Sequence, residues 1–366
     1  MAEPHLRTDI YANRDMAPEE VRQLRAVLTD KGLGIVGEAV QAPGLTALSV
    51  APDADPFAVA DVLNAGPEKH DFRVGRSYRS ATDFLQLAGK SWGHGLLFTP
   101  LTSMTGDSQE ERYRRPLPEW DPPAAGPSPV IALLDSGVVG HEQLPAATGT
   151  PFVVSHPDTA MPMADAPAEH RVKMAYGHAT FIAGLIRMEA PTAQVLSLKI
   201  MGTDGRITES AFLAAIGDLI KYRRDGNRLD VVCMAFGEHL DAGEEPPTAV
   251  REKLAELAGL GVRMAAAAGN AGTDEPVYPA AFAAEIGRLD SVGAGVTRTD
   301  RDFYSGYGDW VTCWRNGTAT SIMPGRPPGL VPEDDEPDFP EDGWAQWQGT
   351  SFAVVRRVCE LANEAV

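Results

Sequence analysis

Residues 129–140 read PVIALLDSGVVG. A short apolar run ends at Asp135, and Ser136-Gly137 follows as a turn dipeptide. From this point the chain alternates between two patterns. AQVLSLKIM (193–201), LDVVCMAF (229–236), GVRMAAAAGN (261–270) and RLDSVGAGV (288–296) are further apolar runs of strand length. ESAFLAAIGDLIKYRRDG (209–226) and PPTAVREKLAELAGLG (246–261) lie between them with helical spacing. Strands apolar on both faces and separated by helices predict a doubly wound, mostly parallel α/β sheet with helices on both faces. Ligands of such sheets bind beyond the carboxyl ends of the strands. That rule directs attention to Asp135, Gly237 and Asn270, each just past an apolar run.

Upstream the pattern differs, and three regions are expected. Residues 1–78 read as a small α/β domain. APEEVRQLRAVLTDKG places Val21, Leu24, Val27 and Leu28 on one helical face, with a stop at Gly32. LGIVGEAV and LTALSVA read as strands around Ala42-Pro43-Gly44, and DPFAVADVLNAGP as a helix with Pro56 in its first turn. HDFRVGRSY reads as a further strand. Residues 79–128 end in RRPLPEWDPPAAGPSP, where proline density predicts a linker without regular structure. Residues 129–366 form the main domain.

The bulk numbers narrow the function classes. With 32 basic and 51 acidic residues the formal net charge is −19, which repels nucleic acid and anionic membranes. No apolar run approaches the ~18 residues of a membrane span, and the N-terminal stretch has charges where a signal peptide needs an apolar core. Cys233, Cys313 and Cys359 are odd in number and far apart, forming neither a disulfide framework nor a zinc spacing. A cytoplasmic location is the expectation. No G-x-x-x-x-G-K-[ST] occurs, so a nucleotide phosphate has no cradle.

Four residues carry candidate chemistry, and each has a bland reading. Asp135 in Asp-Ser-Gly is a common turn, or an acid held to orient an imidazole. His178, in MAYGHATFIAGLI (174–186), is a helix-start residue, or a base kept in place by small neighbours such as Ala179, Ala183 and Gly184. Asn270 after Gly269 is a turn, or an amide donor for a developing oxyanion. Ser351, in QGTSFAVVRRV (348–358), is a helix cap or a nucleophile. Taken together the four run in the order acid, base, amide, hydroxyl.

This conjunction resembles the subtilase family of serine peptidases, over about residue 129 to the end. D-S-G-V with His141 and Leu144 resembles the segment of the family's acid, and G-H-A-T-F-I-A-G its histidine box. A-A-G-N-A-G followed by V-Y-P-A-A-F resembles the oxyanion segment, S-G-Y-G-D-W-V a further family stretch, and G-T-S-F-A the serine box. The Asp, His, Ser order is itself the known one for subtilisin. The resemblance implies Ser351 as nucleophile, His178 as general base, Asp135 as its orienting acid and Asn270 as oxyanion donor. It implies Ala235, Phe236, Gly237, Ala268 and Gly269 as substrate-binding backbone. Residues 1–78 resemble the inhibitory α/β prodomains of the family, which implies regulation of the site by this chain's own N-terminal domain; the alternative reading is a generic accessory domain.

Departures from the family pattern are local. His-Gly-Thr is His178-Ala179-Thr180, the proline of the serine box is Val355, and Ser-Leu-Gly at the substrate edge is Ala235-Phe236-Gly237. TCWRNG (312–317) stands where Ala-Pro-Gly is usual. The expected function is therefore an intracellular endopeptidase that cuts a specific polypeptide or precursor peptide through an acyl-enzyme. The alternative is a catalytically impaired, peptide-binding scaffold of the same fold. Two acidic stretches, VPEDDEPDFPED (331–342) and EHLDAGEE (238–245), suggest basic residues near the substrate's cleavage site. No cofactor is expected: calcium is possible on oxygen ligands, yet neither stretch has the D-x-D-x-D-G spacing.

Overall fold

A computed structural model describes residues 9–12, 14–33, 35–42, 44–51, 54–65, 72–74, 77–80, 98–100, 117, 127–139, 141, 143–144, 153–155, 177–201, 206–240, 243–324 and 344–365. In chain order the first elements are β1 (Asp9–Ala12), α1 (Pro18–Asp30), β2 (Ile35–Ala42), β3 (Leu45–Val50), α2 (Pro56–Asn64), β4 (Arg73–Val74), β5 (Ser77–Ser80) and β6 (Phe98–Pro100). There follow β7 (Val130–Asp135), β8 (Val153–Ser155), α3 (His178–Glu189), β9 (Gln194–Lys199), β10 (Arg206–Thr208), α4 (Glu209–Arg224), β11 (Val231–Met234), β12 (Phe236–His239) and α5 (Thr248–Gly259). The last are β13 (Arg263–Ala267), β14 (Val277–Tyr278), β15 (Leu289–Ala294), β16 (Cys313–Arg315), β17 (Thr318–Ile322), β18 (Trp344–Gln348) and α6 (Thr350–Asn363). They fall into two compact units.

The first unit holds residues 1–78 together with 207–227 and 247–260, so α4 and α5 belong to it although they lie far downstream. Its antiparallel sheet has the order β2-β3-β1-β4. The apolar stripe of α1 closes on it through Val21, Leu24 and Leu28, and α2 adds Val59 and Leu63. Pro18 opens α1, and Glu20 Oε2 accepts from the Ala17 N–H at 2.8 Å. Helix α4 starts at an N-cap, where Thr208 Oγ1 accepts from the Ala211 N–H, and ends with Lys221, Arg223 and Arg224 against its negative dipole end. It joins the β-elements through a buried hydrogen bond from Tyr11 Oη to Glu209 Oε1, 3.0 Å.

The second unit is built on a seven-stranded sheet of order β16-β15-β13-β11-β7-β9-β8, parallel throughout. Every residue of β7 and β11 is buried, which is why these strands read as unbroken apolar runs. Helices α3 and α6 share one core with the sheet, including Phe181, Ile182, Phe352, Val355 and Val358 against Ile131, Leu133, Val231 and Ala265. This is the doubly wound α/β fold expected. The order of the sheet turns at β7: β9 and β8 continue to one side, β11 to β16 to the other. Ligands of such sheets bind at that switch, beyond the carboxyl end of β7, and Asp135 is the last residue of β7.

Two short strands depart from expectation. β5 runs from Ser77 to Ser80, across residue 78, the expected end of the N-terminal domain and the end of the first unit's leading segment. β6 lies inside the region read as linker, pairing with β18 from Phe98↔Trp347 to Pro100↔Ala345. A proline is tolerated there because β6 ends the β17-β18-β6 sheet and Pro100 is its last residue. Most of 79–128 and the acidic stretch 331–342 lie outside the described residues.

Candidate active site

Asp135 leaves β7 with its backbone carbonyl accepting from the N–H groups of Ile200 and Met201, at 2.9 and 3.2 Å. Its carboxylate accepts from the Ser136 N–H at 2.7 Å and stands 3.0 and 2.9 Å from His178 Nδ1. Both side chains are fully buried. A buried carboxylate needs such partners, and the turn and the imidazole supply them.

His178 is the first residue of α3, which begins after Gly177 in the left-handed region at φ 82°. The turn is stitched to the Asp135 loop twice. The Ala179 N–H donates to Ser136 Oγ at 3.2 Å, and the Val139 N–H to Thr180 Oγ1 at 2.9 Å. Rings then wall the imidazole: Trp347 at 5.4 Å and 84°, Phe352 at 5.8 Å and 46°. Its Nε2 is buried with no hydrogen-bond partner among the described residues.

Asn270 follows β13 and is buried. Its Oδ1 accepts from both the N–H and the hydroxyl of Thr350, at 2.9 Å each. With Oδ1 so engaged, Nδ2 lies beside Gly349, 3.3 Å from where a β-carbon would stand. Ser351 is the second residue of α6, in the first turn, where amide N–H groups lack an intrahelical acceptor. The N-cap position is Gly349, and Ser351 Oγ donates instead to the Ala235 carbonyl at 3.0 Å. The bland reading of Ser351 as a capping side chain therefore does not describe it.

The structure thus brings His178 to Asp135, and Asn270 to the start of α6. It joins Ser351 to Ala235, the residue before β12, which lies between β5 and β14 in a second sheet. Of the expected substrate-binding residues, Phe236 and Gly237 open β12, which pairs with β14 through Glu238↔Tyr278 and His239↔Val277. Ala268 donates its N–H to the Val292 carbonyl, and the Gly269 carbonyl accepts from Gly306. The departures are absorbed by packing, since Ala179, Phe236 and Val355 are all fully buried. Sequence reasoning missed Ser136, Thr180, Thr350 and Trp347, which orient the four candidates. Their only signal was adjacency to them in the chain.

Beneath the site, burial pushes the Cys233 thiol well up, with the Asp135 charge adding to it, so the group stays protonated and inert. Among the described residues no cluster of three or more His, Cys, Asp or Glu is gathered to hold a metal ion.

Fold and site define a doubly wound α/β protein with a buried carboxylate–imidazole pair at the sheet's carboxyl edge and an amide-flanked serine opening a helix beside it. Residues 126–354 match the model of the subtilase family, and the chain belongs to that family. It is 28% identical over 188 residues to Subtilisin BL of Lederbergia lenta, covering 49% of this chain and 60% of that one. Subtilisin Savinase of the same organism is 27% identical over 188 residues, with the same coverage. The chain therefore spans less than two thirds of the length of these curated relatives. Among solved structures, a cold adapted subtilisin-like serine proteinase superposes with a TM-score of 0.47 at 20% identity, covering 64% of this chain and 74% of that one.

Proposed function

We propose that the chain is a serine endopeptidase that opens peptide bonds through an acyl-enzyme on Ser351. The observation that carries this reading is the buried His178–Asp135 pair, whose free Nε2 has no competing partner among the described residues. Attack requires the Ser351 hydroxyl to leave the Ala235 carbonyl and bond to that nitrogen. His178 Nε2 takes the proton as Oγ attacks the scissile carbonyl, and Asp135 holds Nδ1–H and stabilises the imidazolium. The oxyanion receives Asn270 Nδ2 and the Ser351 N–H. The imidazolium then protonates the leaving amine as the C–N bond breaks. A water, deprotonated by the same imidazole, releases the acid product and restores Ser351.

We further propose that the site is regulated by the chain's own residues. β5 pairs antiparallel with β12, Ser80 opposite Phe236 and Arg79 opposite Gly237. The chain's own segment thus lies along the backbone a substrate would use. We read it as a resident inhibitor, and the acidic stretch that begins at Glu238, just after Gly237, favours substrates with basic residues near the cleavage site. Three unpaired cysteines support a reducing compartment and hence a dedicated polypeptide or precursor-peptide substrate. One observation favours the scaffold alternative: Ser351 Oγ is bonded to Ala235 rather than to the imidazole.

A fluorophosphonate probe separates the two. Labelling that is lost in Ser351→Ala and greatly slowed in His178→Ala supports the peptidase. A wild-type chain that takes no label, before or after limited proteolysis of the N-terminal domain, refutes it.

A further inference from the structure

The helices that start at His178 and Ser351 are joined to each other well away from the catalytic atoms. Near their N-termini, Phe181 and Phe352 pack with ring centroids 4.8 Å apart. One turn further along α6, Arg356 forms an ion pair with Glu189, the last residue of α3. The guanidinium is engaged on all three nitrogens. Nη1 donates to Glu189 Oε1, Nε to the Asn316 carbonyl at 2.9 Å and Nη2 to the Thr318 carbonyl at 3.0 Å. At the end of α6, Asn363 Nδ2 donates to the Glu189 backbone carbonyl at 3.0 Å.

Other charges of α6 go elsewhere. Arg357 Nε donates to Asp290 of β15 at 2.7 Å, Glu360 takes two bonds of 2.5 Å from Arg315 of β16, and Glu364 pairs with Arg263 of β13 at 2.7 Å. Those contacts fix the helix to the sheet. Of the ion pairs described for α6, Arg356–Glu189 alone reaches the helix that carries the base. Burial raises the pKa of Glu189 and Arg356 opposes the rise, as a structural partner would.

We propose that Arg356 and Glu189 are positioning residues that set the α3–α6 register and so the approach of Ser351 Oγ to His178 Nε2. Acyl transfer tolerates little misplacement: an error near 1 Å costs about 100-fold in rate. Two helices free to slide at their far ends transmit such an error to their first residues. The proposal rests on the peptidase reading above.

Arg357–Asp290 is a matched control. It is the neighbouring arginine on the same helix, with side chains 22% and 30% exposed against 26% and 30% for Arg356–Glu189, but it ties α6 to a strand without a candidate catalytic residue. The experiment compares Arg356→Gln, Glu189→Gln and their double variant with Arg357→Gln and Asp290→Asn. It reads the maximal rate of Ser351 phosphonylation by the fluorophosphonate, in which the Oγ–P bond forms as fluoride leaves, the half-saturating probe concentration and the thermal midpoint, with folded fraction from circular dichroism. The Arg356 and Glu189 variants are expected to lose roughly 10- to 100-fold in maximal rate per folded molecule. Half-saturation stays within about twofold, and the double variant is no worse than either single one, as members of one pair behave. The Arg357 and Asp290 variants shift the midpoint and leave the rate per folded molecule alone. Equal rates for both sets, or equal losses in both, overturn the positioning role. A wild-type chain that never reacts overturns the peptidase reading first and this inference with it.

Discussion

Asn270 and Thr350, 80 residues apart in the chain, meet through two hydrogen bonds to one oxygen, both 2.9 Å long. An asparagine amide can be turned either way at little cost, so its use as a donor depends on what holds its oxygen. Here the start of α6 holds it, and the same start carries Ser351. The Asn270 amide and the helix turn that carries Ser351 are thereby fixed relative to one another by a single joint.

The first prediction tests that joint. Thr350→Val keeps the side-chain shape and the backbone N–H bond but removes the hydroxyl, a loss of about 1 kcal/mol or fivefold. Asn270→Ala removes the donor itself, and the expected change is roughly 10²–10³-fold in kcat, the magnitude known for loss of one such donor in a subtilisin. The measurement is the acylation rate of each variant. If Asn270→Ala reacts as fast as wild type, the amide is not an oxyanion donor.

A second prediction concerns the turn before His178. Gly177 sits at φ 82°, and a β-carbon there would come within 2.8 Å of Met323 Cε and Pro324 Cδ. Gly177→Ala therefore combines backbone strain of about 1–2 kcal/mol with a clash. Both a lower thermal midpoint and slower labelling are expected, because the strained residue directly precedes His178. Unchanged labelling in a destabilised variant would mean that the imidazole is positioned by Asp135 and its ring neighbours alone.

Stability in acid is the third. Hydrogen bonds from Arg315, and then from Arg357, hold the Glu360 carboxyl below its ordinary value of 4.5. A depressed carboxylate contributes stability above its unfolded pKa and loses it as pH falls through the folded one. The gap in unfolding free energy between wild type and Glu360→Gln is thus full at neutral pH and closes below about pH 4.5. Glu360 is 41% exposed, so solvent screening limits the gap to about 1 kcal/mol, and raising salt narrows it further. A gap that widens on acidification reverses the sign and rules out this assignment.

What was legible in the chain divides along physical lines. β7, β9, β11, β13 and β15 announce themselves because a strand buried on both faces must be apolar at nearly every position. The four site candidates were readable from local turn and helix-start chemistry together with the family boxes. The pairing of Ser80 with Phe236 was not, because a four-residue polar strand has no periodicity and its partner is 156 residues away, counting from 80 to 236. Nor was the grouping of α4 and α5 with the N-terminal strands, which amphipathic spacing alone does not specify. The tie between Arg356 and Glu189, 167 residues apart, is equally silent in sequence. Charges on helix faces outnumber their meaningful partners, and only packing selects among them.

The fourth prediction follows from that unread pairing. A strand lying on β12 at Phe236 and Gly237 excludes any other strand from the same edge, since each backbone N–H and carbonyl there serves one neighbour at a time. A synthetic peptide of residues 72–80 should then compete with substrate on a chain trimmed through Ser80, raising apparent KM and leaving kcat unchanged. Gly237→Ala supplies the internal check. Its new β-carbon would lie 2.3 Å from Val277 Cγ1 and 3.2 Å from the Tyr278 carbonyl, so β12 must shift against β14. One displaced strand bond is about 1 kcal/mol, so KM and the peptide's inhibition constant should both rise about fivefold, and together. If one moves without the other, peptide and substrate occupy different surfaces, and β5 is no substrate surrogate.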